Sequence, residues 1–182
     1  MYAGKFGGIY LDKEVFDFLR IASEHWNEKF RVLVLTSHSK EEIQGFCKDS
    51  GLDPKYVLQY FVPHKLIPDY IGLGDFAITP VKPVPAKRYC TPIKDGEYWA
   101  LGLPVVIPAK ISDDSGIIYK YKIGSILEEL NEEAYKKSVI EIDQLLKNNT
   151  RKELYSKIRP IAEKYRNFTI AENIYRSIYS KS

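Results

Sequence analysis

The sequence predicts an α/β fold, a parallel sheet of about six strands flanked by helices and followed by a group of C-terminal helices. Short apolar runs rich in β-branched residues alternate with segments of helical period along most of the 182 residues, the pattern of parallel strands joined by crossover helices. A hydrophobic fraction of 45%, with 13% aromatic residues, suffices for a buried core at this length and is too high for a disordered chain. No internal repeat, low-complexity segment or long linker interrupts the pattern, so residues 1–182 are expected to form a single domain.

Each element has its own signal. A truncated first strand ends at Tyr2-Ala3-Gly4, and a helix over 12–25 places Val15, Phe16, Leu19 and Ala22 on one face. A strand over 30–36 follows, then a helix over 40–50 stopped by Gly51 and a strand near 56–62. A short helix around 65–73 leads to a strand over 75–79 and a proline-rich loop. Beyond it a helix begins at Pro92, with strands at 105–108 and 125–127 separated by a helical stretch near 114–121. Asp113-Asp114-Ser115 reads as the cap of that stretch, with a phosphate-loop role as the lesser alternative. The end is helical, over 132–147, 151–165 and 170–179. The first strand begins almost at Met1, which suggests a chain cut from something longer, or opening residues that belong beside a partner domain. Ile170, Ile174 and Ile178 recur every four residues beside Tyr175 and Tyr179, a stripe that needs either the chain's own sheet or an absent domain to cover it.

Composition excludes several classes. No apolar run approaches the ~20 residues of a membrane-spanning helix, no charged-then-apolar leader opens the chain, and Cys47 and Cys90 stand far apart, as in a reducing compartment. A cytoplasmic protein is expected. The net charge of +3 is too small to argue for nucleic acid. Basic residues are nevertheless concentrated: Lys82, Lys87, Arg88 and Lys94 stand between Phe76 and Lys94 with no carboxylate, and 147–181 carries nine basic and three acidic residues.

In open parallel sheets ligands bind beyond the carboxyl ends of the strands. The loop Gly4-Lys5-Phe6-Gly7-Gly8 would let backbone approach a ligand, with Lys5 against a phosphate, or is a plain glycine turn into a helix. It lacks both G-x-G-x-x-G and P-loop spacing. The stronger segment is Cys90 to Val106. Thr91 suits an N-cap and Pro92 a first helical residue, so amides and the positive helix end would form an anion site. Lys94 adds a full charge for a diphosphate, and Glu97, one turn on, would accept hydrogen bonds from ribose; the bland alternative is a Lys94–Glu97 surface pair.

The run Thr91-Pro92-Ile93-Lys94 through Glu97-Tyr98-x-Ala100-x-Gly102-x-Pro104-Val105-Val106 resembles the "SPTK…EYLA-GLPVV" signature of GT-B glycosyltransferases of the group-one type. The opening Tyr2 to Gly8 resembles that family's entry to its C-terminal domain, Asp75 to Pro80 its "aDf-I-P" strand, and Tyr175 to Tyr179 its terminal "Y-x-x-I-Y" helix. The resemblance covers essentially the whole chain, as one Rossmann-like half of a GT-B fold. It implies binding of a nucleoside diphosphate sugar, with the acceptor held by an absent N-terminal half, and an isolated domain inactive without it. It implies further that Glu97 binds ribose, that Lys94 and Lys5 stabilise charge on the diphosphate, that the backbone of Phe61-Val62-Pro63 lines the base, and that transfer proceeds with retention and without a metal or other cofactor.

One departure stands out. Related enzymes carry two glutamates separated by seven residues; here Tyr89, preceded by Arg88, occupies the first position, and Lys82, Lys87 or Arg88 would have to supply charge in its place, unless they form a solvated basic loop. The substrate-site candidates are therefore Gly4, Gly7, Val62, His64, Thr91, Pro92 and Glu97 beside the catalytic candidates Lys5 and Lys94, with His64 also readable as a helix cap. His25 and His38 share no metal-ligand spacing with the cysteines. Competing functions are a sugar-nucleotide epimerase-like domain, which would need further acid-base residues, and a non-catalytic interaction or regulatory domain using the basic C-terminal helices against an acidic partner or the inner face of a membrane. Polysaccharide assembly is an expectation by analogy.

Overall fold

The computed structural model describes residues 1–179. The elements alternate as β1 (Tyr2–Ala3), α1 (Lys13–Trp26), β2 (Val32–Leu35), α2 (Lys40–Ser50), β3 (Val57–Tyr60), α3 (Ile67–Ile71), β4 (Ala77–Ile78), α4 (Ile93–Ala100), β5 (Val105–Pro108), α5 (Asp114–Tyr121) and β6 (Gly124–Leu127). Helices α6 (Glu132–Lys147), α7 (Arg151–Tyr165) and α8 (Phe168–Tyr179) follow. The helix bounds follow local chemistry. Ser39 and Glu42 form a reciprocal capping box on α2, which ends where Gly51 turns left-handed at φ 75°. Thr150 and Glu153 repeat the box on α7, and the Asn131 side chain accepts from the Ala134 amide at the start of α6.

All strand pairs are parallel, in the orders β1-β2-β3 and β4-β5-β6. The expected single sheet of about six strands is thus six strands in two three-stranded sheets. The edges that face each other, β1 and β4, are two residues long, too short for a continuous ladder. Met1 joins them: its amino group donates to the Phe76 carbonyl at 2.6 Å, and its carbonyl accepts from the Ile78 amide at 3.1 Å. The strands accordingly run β3-β2-β1-β4-β5-β6 across the molecule, and the reversal between β1 and β4 creates a crevice at their carboxyl ends.

Alternating strand residues feed two cores. Val34 and Val106 join Phe16, Phe18, Ile21 and Ile142 under α1, α2 and α6, while Val105 and Ile107 join Trp99, Ile118 and Ile158 under α4, α5 and α7. Helix α8 belongs to neither core. It buries no residue, and Phe168, Ile170, Ile174, Tyr175, Ile178 and Tyr179 are all exposed, so docking on the chain's own sheet is not what the structure shows. No helix among the described residues is long and apolar enough to cross a membrane.

Candidate functional site

The loops leaving β1, β2 and β3 converge with the first turn of α4 at the crevice. They enclose a cleft of about 230 Å³ lined by Gly4, Lys5, Thr36, Ser37, Phe61, Val62 and Lys94, among others. The Gly4 amide donates to the Leu35 carbonyl at 2.8 Å, and the Tyr2 hydroxyl donates to the Lys5 carbonyl, so the loop folds back over β1 and β2. Gly4 is needed for close approach. A Cβ there would stand 2.6 Å from the Tyr2 hydroxyl oxygen and 3.1 Å from Cε of Lys94. Gly7 and Gly8 follow at φ 78° and 63°, the turn that leads back toward α1.

Of the residues singled out by sequence, Gly4, Lys5, Val62 and Lys94 meet at this cleft. The others lie around it. Gly7 is in the same loop but turned toward the Asp12 carboxylate, and His64 opens an exposed 3-10 turn. Glu97 is exposed on α4, and the surface pair with Lys94 does not form among the described residues. Thr91 is not the N-cap. Pro92 occupies that position, and the Thr91 hydroxyl instead lies 2.9 Å from the Ser112 hydroxyl, because the chain bends toward the loop after β5 before α4 begins. Asp113 and Asp114 do not cap α5 through their side chains either; both carboxylates bind the Arg166 guanidinium. Among the described residues no cluster of three or more His, Cys, Asp or Glu side chains is placed to hold a metal ion.

Two polar groups that sequence reasoning passed over support the cleft. On α4, next to Lys94, Asp95 is fully buried and accepts a hydrogen bond from the Thr79 hydroxyl. Burial, reinforced by the Asp114 carboxylate, pushes its carboxyl up to about 8. Burial likewise raises Asp114 to about 6, against the opposing pull of Arg166, whose guanidinium also lies 5.6 Å from the Trp99 ring centroid. The signal for Asp95 was present in the sequence: it shares a helical face with Tyr98 and Trp99, both wholly buried. The second group is His38. Its Nε2 accepts from the Phe6 amide at 2.9 Å, and its Nδ1 stands 3.3 Å from the Glu42 carboxylate. Cys47 is inert by comparison, since burial raises its thiol to about 11.

No protein-family model and no curated protein matches the chain. Solved structures do. WaaG, a glycosyltransferase involved in lipopolysaccharide biosynthesis, superposes with a TM-score of 0.71 at 14% identity over 98% of this chain and 46% of its own. HepE of Anabaena, in complex with UDP, gives 0.68 at 16% identity over 98% and 48%. An E. coli trehalose-6-phosphate structure bound with UDP-2-fluoroglucose gives 0.54 at 13% identity over 90% and 40%. The chain spans about half or less of the length of these structures, and the fold it adopts is the Rossmann-like α/β fold of one part of these glycosyltransferase structures.

Proposed function

We propose that this chain is the donor-binding half of a glycosyltransferase and holds a nucleoside diphosphate sugar at the cleft between the β1 loop and α4. The observation that carries the reading is the meeting of Lys5 and Lys94, from opposite sides of the crevice, around Gly4. Glycosyl transfer from such a donor builds negative charge on the departing diphosphate, and two lysines with the amide-rich first turn of a helix stabilise that charge. In this reading Lys5 and Lys94 act on the diphosphate and Gly4 admits it. Val62 and Phe61 line the base, and Glu97 binds ribose from the next turn of α4. Gly7, His64, Thr91 and Pro92 shape the rim. No metal or cofactor takes part, transfer retains the anomeric configuration, and an N-terminal half supplies the acceptor and any base it needs. The matched structures with UDP and with UDP-2-fluoroglucose support this donor class.

The exposed apolar stripe of α8 is consistent with packing on that other half. It also favours a second reading, an interaction module without chemistry. A membrane contact through the basic end draws less support, because Lys147, Arg159, Arg166 and Arg176 are paired with carboxylates within the chain. Calorimetric titration with UDP, GDP and their sugars separates the readings. Binding to the wild type is expected, with affinity reduced about tenfold to a hundredfold in Lys94→Ala, the range for a lost charge-assisted contact. A folded chain that binds none of these nucleotides supports the interaction module instead.

A further inference from the structure

We infer that His38, held in its neutral Nδ1–H form, is the positioning residue that fixes the glycine loop at the cleft; the inference rests on the donor-site reading for what that loop does. The Phe6 amide donates to Nε2 at 2.9 Å, so that nitrogen carries a lone pair and the proton sits on Nδ1, facing Oε1 of Glu42 at 3.3 Å. Glu42 is itself immobilised. Its other oxygen accepts from the Ser39 amide at 2.7 Å, while its own amide donates to the Ser39 hydroxyl at 3.1 Å. The capping box of α2 thus orients the carboxylate, the carboxylate orients the imidazole, and the imidazole holds the Phe6 backbone.

The same residue ties the other two loops. Its amide donates to the Thr36 hydroxyl at 3.2 Å, and its carbonyl accepts from the Gln59 side chain at 2.7 Å, just before the Phe61-Val62 segment. Phe6 anchors the far end, its ring packed 4.9 Å from Tyr2, 5.0 Å from Phe16 and 5.7 Å from the imidazole. Lys5 and Gly4, the residues before this anchor, line the cleft; His38 does not. It stands behind the cleft and sets the spacing of the three loops that form it.

The test uses the labelled chain with two variants, His38→Gln, whose amide oxygen can replace the acceptor, and His38→Leu, which cannot. Nitrogen NMR of ligand-free wild type is expected to show the Nδ1–H tautomer at neutral pH. Hydrogen exchange at the Phe6 amide is expected to accelerate about tenfold or more in His38→Leu and to stay near wild type in His38→Gln. The Val34 amide, in the core, should be unchanged in both. UDP affinity should fall about tenfold in His38→Leu and recover in His38→Gln. An Nε2–H tautomer, an unresponsive Phe6 amide, or equal loss in both variants overturns the inference. If the leucine variant unfolds, Phe6 protection in the glutamine variant decides in the same sense. Because tautomer and exchange are read without ligand, a wild type that binds no nucleotide while Phe6 responds removes the donor-site reading and leaves the positioning role standing.

Discussion

The two walls of the cleft are held by opposite kinds of polar chemistry. The glycine-loop wall rests on His38, Glu42 and Ser39, neutral or partly solvated groups whose hydrogen bonds satisfy one another and the Phe6 amide. The α4 wall rests on Asp95, Asp114 and Arg166, ionisable groups with little or no exposure and, among the described residues, with no partner for one oxygen of each aspartate. A satisfied network adds rigidity at small cost, whereas buried carboxylates lose hydration that a single guanidinium only partly replaces. The α4 wall should therefore be the one whose stability depends on its buried cation and on pH.

The largest effect is expected on removing the cation. Arg166→Ala leaves both buried aspartates without a counter-charge and should lower unfolding free energy by about 3–5 kcal/mol at pH 8, the range for breaking a buried ion pair. At pH 5 the loss should shrink, since protonated carboxyls need no partner. Denaturant unfolding at the two pH values measures this; an equal loss at both means that Arg166 acts through its packing on Trp99 instead.

Asp95→Asn sharpens the same contrast. The folded-state carboxyl is raised from an ordinary 3.8 to about 8, so the folded chain binds the proton more tightly than the unfolded chain. The associated stability is fully present below about 4 and is lost as pH rises through 8, with a slope of up to roughly 1.4 kcal/mol per pH unit for one proton. Asparagine keeps an acceptor for Thr79 and abolishes the titration. The variant should match wild type near pH 4 and exceed it at pH 8, with the shallower dependence that remains coming from Asp114. An unchanged slope would place the proton elsewhere.

How much of this was legible follows from the range of the contacts involved. The bounds of α2, α6 and α7 fell where Ser39, Asn131 and Thr150 accept from amides three residues on, because a cap is local chemistry. β1 and β4 came out shorter than their apolar runs, and Thr91 gave up its cap to a contact 21 residues away. Asp113 was claimed by Arg166 across 53 residues. The site divides in the same way. Loops after strands located Gly4, Lys5, Val62 and Lys94, and the face shared with Tyr98 and Trp99 marked Asp95 as buried, but its partner Thr79 and the Phe6 partner of His38 lie 16 and 32 residues away, where no local pattern reaches.

Gly4→Ala comes next in size and acts where the two walls touch. Its Cβ would sit 2.6 Å from the Tyr2 hydroxyl oxygen and 3.1 Å from Lys94 Cε. Overpacking of this kind typically costs about 1–3 kcal/mol. Lys94 is the end of a flexible chain and can retreat, but Tyr2 is buried and holds the Lys5 carbonyl. Nucleotide affinity should fall further than stability alone explains, and a crystal structure of the variant should show the Lys5 backbone displaced as well as the Lys94 side chain.

The smallest effect is also the cleanest comparison, because the chain contains the same capping box twice. Ser39→Ala and Thr150→Ala each remove the hydroxyl that accepts an amide three residues on, and each should cost about 1 kcal/mol in unfolding free energy. Their consequences at the cleft differ. Thr150 caps α7, remote from the glycine loop, and among the described residues Glu153 there bonds only within the cap. The Ser39 hydroxyl fixes the Glu42 backbone at 3.1 Å, and so the carboxylate that faces His38 and, through it, Phe6. With stability losses matched, hydrogen exchange at the Phe6 amide should rise in Ser39→Ala and stay unchanged in Thr150→Ala. Equal exchange in the two would mean that Glu42 holds the imidazole without help from its own cap.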